Sequence, residues 1–516
     1  MQPLIILQHP FFLTFAAMSL KTFVSKIWAR SLARKYQKMS DNALSLQEKT
    51  FHHLIQTAKH TSFGVEHNFA SIKSPADFRK NVPIRDYEKA KSWFDRIYQG
   101  EADVSWPGKP LYLAKTSGTT SGAKYIPISK VSIRKQVNAA RDALLLYIAE
   151  SGKASFLEGK MMFLSGSPEI ENNKYGLRTG RLSGIVNHFV PNYLQSNKVP
   201  SYEANIIEDW EEKVKRIVEE VKDKDLRLIS GIPPWVQMFF EELEAQTGKT
   251  PLEVWPNLSM FVQGGVDYNP YKPIFEGYFG NKVAISEVYP ASEGFFAFQN
   301  SQKDDGLLLL PDQGIYYEFI PMDEYGKENP KRLGLSEVKL NEQYALIIST
   351  NAGLWAYDIG DTIKFTSLNP WKIRVSGRVK HFISAFGEHV IQEEVNKAMI
   401  AATASTGASF QEFTVAPLIK EEKGASAHEW LIEFNQEPQD LEKFTEILDA
   451  EMRKLNPYYE DLRAGNILKI AQIRKLQNNA CREYMKSIGK LGGQNKFPRL
   501  SNERKIADAL SEFILD

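Results

Sequence analysis

The spacing of apolar and polar positions changes twice along this chain, and each change marks a different kind of structure. The first hundred residues read as mostly helical. Ser45 to Lys59 has helical composition, and Pro75, Pro83 and Pro107 punctuate the chain beyond it. Leu111 to Ala114 is a short apolar run that gives way to a Ser/Thr/Gly cluster. From Glu203 to Lys224, Trp210, Val214, Ile217, Val218 and Val221 recur at helical spacing and predict one helix with a solvated charged face. Leu226–Ser230, Ser259–Gln263 and Val283–Tyr289 read as strands, and a helix is expected from Pro234. Strands separated by helices argue for a largely parallel α/β sheet.

After about residue 305 the runs become short and turn-bounded. Leu307–Leu310, Ile315–Ile320, Leu335–Leu340, Tyr344–Ser349, Asp361–Thr366 and Trp371–Ser376 predict a β-rich subdomain. Beyond Lys380 the expected order is helix, strand, strand, helix, strand, helix, near 389–403, 411–417, 428–434, 440–455, 467–473 and 478–487. That pattern describes a small α+β domain on a linker.

Length and charge narrow the classes. At ~100–200 residues per domain, 516 residues suggest about two to four domains. Apolar residues at 43% and charged residues at 25% exclude a wholly disordered or collagen-like chain. A net charge of +1 gives no reason to expect a nucleic-acid partner. The single cysteine, Cys481, excludes an intramolecular disulfide and a cysteine-based zinc cluster. A cytoplasmic enzyme fits these bounds, with a monomer as the default. Residues 1–17 are apolar but broken by Gln8, His9 and Pro10, too short and interrupted for a membrane span of ~20 residues. They read as an upstream extension before Met18, or as a short helix packed on the body.

Three motifs carry chemistry. In Thr116-Ser-Gly-Thr-Thr-Ser-Gly-Ala-Lys124, Gly118 and Gly122 allow tight turns that aim several N–H groups at one anion. Hydroxyls and Lys124 add donors for phosphate, although taken alone such a cluster is more often a linker or turn. The spacing is not that of a Walker A loop. In Val288-Tyr-Pro-Ala-Ser-Glu293-Gly an acid follows a strand, where open sheets bind ligands, and one carboxylate with phosphates and waters suffices for Mg²⁺. A helix N-terminal acid is the plainer reading. In Tyr357-Asp-Ile-Gly-Asp361, Gly360 permits a turn, Asp361 suits the vicinal hydroxyls of a ribose, and Tyr357 offers a face to a purine. An ordinary hairpin turn fits the same residues.

In this order the motifs resemble the ANL superfamily of adenylate-forming enzymes, and Thr-Ser-Gly-Thr-Thr-Ser-Gly-Ala-Lys-Tyr-Ile-Pro is similar to its GH3 branch, the acyl acid–amido synthetases. Trp255-Pro-Asn-Leu with Gly264-Gly265, Ser376-Gly-Arg-Val-Lys380 with Phe386-Gly-Glu, and Gly492-Gly-Gln-Asn-Lys496-Phe-Pro-Arg agree, so the likeness spans roughly residues 20–505. Motif two has Tyr-Pro-Ala-Ser-Glu where plant members often have Tyr-Gly-Ser-Ser-Glu, and motif three has Asp358 where they carry arginine.

The resemblance implies a large adenylate-forming domain over 18–378, with the β-rich subdomain at about 305–378, and a small mobile domain over 379–516. The small domain would turn on a hinge near Arg378-Val-Lys380. It implies ATP and Mg²⁺ as cofactors, a small-molecule carboxylic acid as substrate, an amino acid as acceptor, and neither nucleic acid nor membrane as partner. Ser117, Gly118, Thr119, Thr120, Ser121, Gly122, Lys124, Gly265, Tyr289, Ala291, Ser292, Tyr357, Asp361 and Arg378 would contact the nucleotide. Glu293 would bind the metal, and Lys496 would enter from the small domain to meet the carboxylate and α-phosphate. An adenylating ligase that uses coenzyme A shares the first half-reaction and differs only in acceptor. A non-catalytic binding protein of the same fold is the third reading, against which Glu293, Asp361 and Lys496 argue. Residues from Pro234 to Phe240 could wall an acyl pocket and fit a plain core more readily.

Overall fold

The computed structural model describes residues 20–119, 122–189, 196–207, 209–265, 268, 271–378, 382–388, 390–419, 426–488 and 497–515. Residues 1–17 lie outside these ranges. The helical opening takes the form of long helices at Leu20–Asp41 and Ala43–Ala58, then shorter ones at Pro75–Asn81 and Lys91–Tyr98. Ser74 starts the third of these with a reciprocal cap, its hydroxyl accepting from Asp77 N–H while the Asp77 carboxylate accepts from Ser74 N–H.

Fifteen strands build the large part of the molecule. They are β1 (Tyr112–Thr119), β2 (Gly122–Ile128), β3 (Lys160–Phe163), β4 (Glu171–Asn172), β5 (Arg178–Gly180), β6 (Lys198–Val199), β7 (Leu226–Ser230) and β8 (Met260–Gly264). The remainder are β9 (Ala284–Ala291), β10 (Gly294–Gln299), β11 (Leu307–Leu309), β12 (Ile315–Pro321), β13 (Gln343–Thr350), β14 (Tyr357–Leu368) and β15 (Trp371–Arg378). Eleven of them form one sheet in the order β12-β13-β14-β15-β11-β10-β9-β8-β7-β3-β6. β6, β3, β7, β8 and β9 run parallel, and the rest are antiparallel. The expected parallel sheet and the β-rich stretch are therefore halves of one hydrogen-bonded sheet, joined at β9–β10. β1, β2, β4 and β5 form a separate four-stranded sheet.

In the small part an antiparallel pair carries a parallel edge: Ser409–Leu418 lies antiparallel to Ala427–Gln436, which lies parallel to Gln472–Lys475. Helices Gln392–Thr406 and Leu441–Leu455 pack beside this sheet. One apolar cluster joins both parts. Trp210, Phe239, Trp255 and Phe261 share it with Phe386, Val395, Trp430 and Tyr459. Val236, Phe239 and Phe240 are fully buried there, which favours the core reading of Pro234–Phe240.

Local chemistry overrides periodicity in four places. The single helix expected from Glu203 to Lys224 is two, Tyr202–Asn205 and Trp210–Val221, because the Asp209 carboxylate accepts from Glu212 N–H at 2.7 Å and starts a new helix. Its apolar stripe is buried as expected. Leu335–Leu340 is not a strand. Glu337 accepts from Gly334 N–H at 2.7 Å and winds Leu335–Glu337 into a 3₁₀ turn that buries Leu335 and Val338. A helix at Pro457–Ala464 occupies what had no expected element: Asn456 caps Tyr458 and Tyr459 N–H at 3.0 and 2.9 Å, and Pro457 sits at the first turn. The strand expected at 467–473 falls instead at Gln472–Lys475.

Candidate active site

The hydroxyl-rich motif is not a loop hung after a strand. It continues β1 into β2 as a hairpin, with Thr116 opposite Lys124 and Thr119 opposite Gly122. Thr120 and Ser121 at its tip lie outside the described residues, as do the side chains of Ser117 and Thr119. The second motif is also a hairpin. Ser292 and Glu293 link β9 to β10, with Ala291 opposite Gly294, so Glu293 caps no helix. A Cβ at Gly294 would lie 2.5 Å from Ile315 Cδ1, so the chain passes β12 closely there and the hairpin is fixed. Glu293 lines a small recess with Ser132, Lys135, Gln136, Ile315 and Asn351.

The third motif is a bulge within β14. Ala345 pairs with Thr362 and Ile347 with Asp358, leaving extra residues that Gly360 accommodates at φ +84°. Asp358 holds that bulge: its carboxylate accepts from Gly360 N–H at 2.8 Å and from Tyr325 Oη at 2.6 Å. Asp361 faces Tyr289, whose hydroxyl donates to Oδ2 at 2.6 Å. Arg378 is the cross-strand partner of Asp361 through the backbone; its side chain lies outside what is described. Gly265, at the carboxyl end of β8, takes φ +87°.

Tyr87 and Tyr357 connect the motifs. Lys124 Nζ lies 5.7 Å from the Tyr87 ring centre, and the Tyr87 hydroxyl oxygen accepts from Tyr125 N–H at 3.0 Å. Arg85 pairs with Tyr357 through the backbone, and Phe94 stacks on Tyr87 while meeting Tyr357 edge-on at 6.1 Å. Burial, then the nearby Glu293 carboxylate, then Tyr87, hold the Tyr357 hydroxyl well above the ordinary phenol range. Burial pushes Tyr87 up to about 12. Both phenols are therefore neutral donors at physiological pH. Tyr357 is 3% exposed, so its ring forms part of the wall and presents no open face for a purine. The structure thus gathers Lys124, Tyr289, Glu293, Tyr357 and Asp361. Lys496 and the rest of 489–496 lie outside the described residues. Sequence reasoning missed Tyr87, Arg85 and Lys135, which sit in no motif and are brought in by tertiary packing alone.

The helix Pro457–Ala464 touches the large part beside this site. Tyr458 Oη donates to Lys115 O at 3.2 Å, and Arg181 pairs with Asp461 while lying 5.2 Å from the Tyr458 ring centre. Behind Arg181 sits buried Lys213, donating to Ser165 O at 3.0 Å and Asn205 O at 2.6 Å. Burial first, then the Arg181 charge, lower its pKa from 10.5 to about 8. Between those values the unfolded chain binds more protons than the folded one, so stability rises with pH across that window. Melting curves of wild type and Lys213→Met from pH 7 to 10 are expected to show wild type gaining on the variant above pH 8, by on the order of 2 kcal/mol. Parallel pH curves would refute the shifted lysine.

An eleven-stranded mixed sheet with a second α+β unit packed against it is a fold shared with solved ligases. A solved GH3.15 acyl acid amido synthetase matches it at a TM-score of 0.60 with 16% identity, over 94% of this chain and 96% of that one. A 2-hydroxyisobutyryl-CoA ligase matches at 0.58 with 14% identity, over 92% of each. Models of the GH3 family N-terminal, central and C-terminal domains match residues 32–190, 308–378 and 393–505. The chain belongs to the GH3 family and is an enzyme of the ligase class. Among its relatives, an indole-3-acetic acid-amido synthetase GH3.10 of Arabidopsis thaliana is 25% identical, over 92% of this chain and 96% of its own. A jasmonoyl–L-amino acid synthetase JAR4 of Nicotiana attenuata is 22% identical, over 64% of this chain and 68% of its own. Among the described residues no helix is long and apolar enough to cross a membrane.

Proposed function

We propose that the protein activates a small carboxylic acid as its acyl-adenylate and passes the acyl group to an amino-acid amine. In the first step a carboxylate oxygen attacks the α-phosphorus of ATP and the bond to pyrophosphate breaks. In the second the amine attacks the acyl carbon, AMP leaves, and the nitrogen loses a proton. The observation that carries this reading is that Glu293 and the Tyr289–Asp361 pair on the large sheet lie near Tyr357, which Tyr87 links to Lys124 on the four-stranded sheet.

The first step brings two anions together, so its obstacle is electrostatic. The β1–β2 turn and Lys124 are the donors for phosphate. Asp361 suits the ribose hydroxyls and would exchange its Tyr289 contact for them, with Arg378 beside it. Magnesium fits the donor set: no cluster of three His, Cys, Asp or Glu occurs among the described residues, so Glu293 would hold it jointly with phosphate oxygens and water. When bound, the ion neutralises charge on the phosphates. We place the hinge at 378–380, between the last strand of the large sheet and the small part.

Pyrophosphate release over a matrix of carboxylic acids, each with amino acids, coenzyme A or neither, tests the reading. Acid-dependent release that forms an amide only with amino acids is expected. Failure of every acid to elicit release would overturn adenylation, and thioester formation would replace the acceptor. Lys496→Ala is expected to slow adenylate formation by ~10²-fold, with ATP affinity changed less than about threefold. Equal loss of both would remove the role given to Lys496.

A further inference from the structure

A cleft of 490 Å³ lies apart from the candidate active site. It opens at the far end of the β1–β2 hairpin, against Leu111 and Pro127–Ser129, roughly 20–25 Å along the strands from their ends at Thr119 and Gly122. Its floor is apolar, from Val104, Trp106 and Leu177. Its rim carries Lys109, Lys130 and Arg178, and among the described residues none of the three makes an ion pair. The one acid in the lining, Glu101, is paired with Arg96.

The wall is preorganised. Asp103 and Gly108 close the loop on itself, with Asp103 N–H donating to Gly108 O at 3.1 Å and Gly108 N–H to the Asp103 carboxylate at 2.7 Å. Trp355 Nε1 pins the loop by donating to Ser105 O at 2.9 Å. An apolar-floored pocket of this size has the character of a small-molecule site, and three cations held in no ion pair, of which Arg178 lies 5.9 Å from the Tyr112 ring centre, select an anion.

We propose that this cleft is a second binding site, taking an organic anion with a flat apolar body and one sulfonate, carboxylate or phosphate group. The body packs against Trp106 and Leu177, and the charge meets the three cations. The site is independent of the nucleotide.

Calorimetric titration of the full chain with naphthalene-2-sulfonate tests this. One site per chain is expected, with 2-naphthol and inorganic sulfate each binding at least tenfold more weakly. The Lys109→Ala, Lys130→Ala, Arg178→Ala triple variant, at three exposed positions, should weaken binding at least tenfold without lowering the melting temperature. Saturating ATP should leave the affinity within about twofold. Absence of binding, equal binding of 2-naphthol, unchanged binding by the triple variant, or displacement by ATP would each overturn the proposal.

Discussion

Glu293→Gln is expected to slow acid-dependent pyrophosphate formation by roughly 10²–10³-fold, the usual scale for removing one preorganised electrostatic group. Glutamine keeps the volume and most hydrogen-bonding capacity of the side chain and removes its charge. The fixed hairpin makes that change clean. Gly294 is pressed against Ile315, and Ala291 pairs with Gly294, so the backbone that aims position 293 does not depend on the carboxylate. A metal role adds a second signature: raising Mg²⁺ should restore part of the lost rate, and the magnesium dependence of the variant should shift upward. Lys135 lines the same recess and donates to Asp312 O at 2.7 Å, so a merely structural Glu293 would show a fall in melting temperature instead. The measurement is pyrophosphate release at graded Mg²⁺ alongside thermal melts. A variant within threefold of wild type at every Mg²⁺ concentration would dismiss Glu293 from the chemistry.

How much of this was legible in the sequence depends on the range of the interaction that decides each element. Leu226–Ser230 and the β-rich runs were legible because alternation and burial act over a few residues, and β7, β12 and β13 fall close to where they were expected. The Gly-Asp pair reads as a turn, but the chain continues through it as one strand, β14. Its form as a bulge was not legible, because that depends on Ala345 and Ile347 in the facing strand. Asp358 has its partner in Tyr325, a residue in a turn thirty-three positions away, which no spacing rule finds. The departure from arginine at Asp358 thus has a local explanation: here the side chain fixes the backbone that aims Asp361. Tyr87 is the clearest loss. Its sequence neighbourhood, Pro83-Ile-Arg-Asp-Tyr, carries only a proline signal, and its place between Lys124 and Tyr357 arises from packing of the helix Lys91–Tyr98 on both.

The stretch just before Tyr87 carries the largest expected effect on stability. Glu318, on β12, is 1% exposed and pairs with both Arg79 and Arg332; Arg79 Nε donates to Oε1 at 3.1 Å. Arg332 also donates to Val82 O at 2.7 Å and lies 5.3 Å from the Phe78 ring centre. The three charges tie the helix Pro75–Asn81 to the sheet, and the chain leaving that helix becomes Arg85–Tyr87 at the candidate site. Glu318→Ala removes one acid, strands the buried Arg332 and leaves Arg79 only its 3.6 Å pair with Glu337, at a cost of about 3–5 kcal/mol. The melting temperature should fall by several degrees. Desolvation of the charges, and not their attraction, dominates that cost, which sets up a contrast. The Arg79→Met, Glu318→Leu, Arg332→Met triple variant removes every charge together and should recover most of the loss. If Glu318→Ala melts with wild type, the triad holds nothing. If the triple variant is as unstable as the single one, lost anchoring of Val82 and Phe78 outweighs stranded charge, and the electrostatic account of this corner fails.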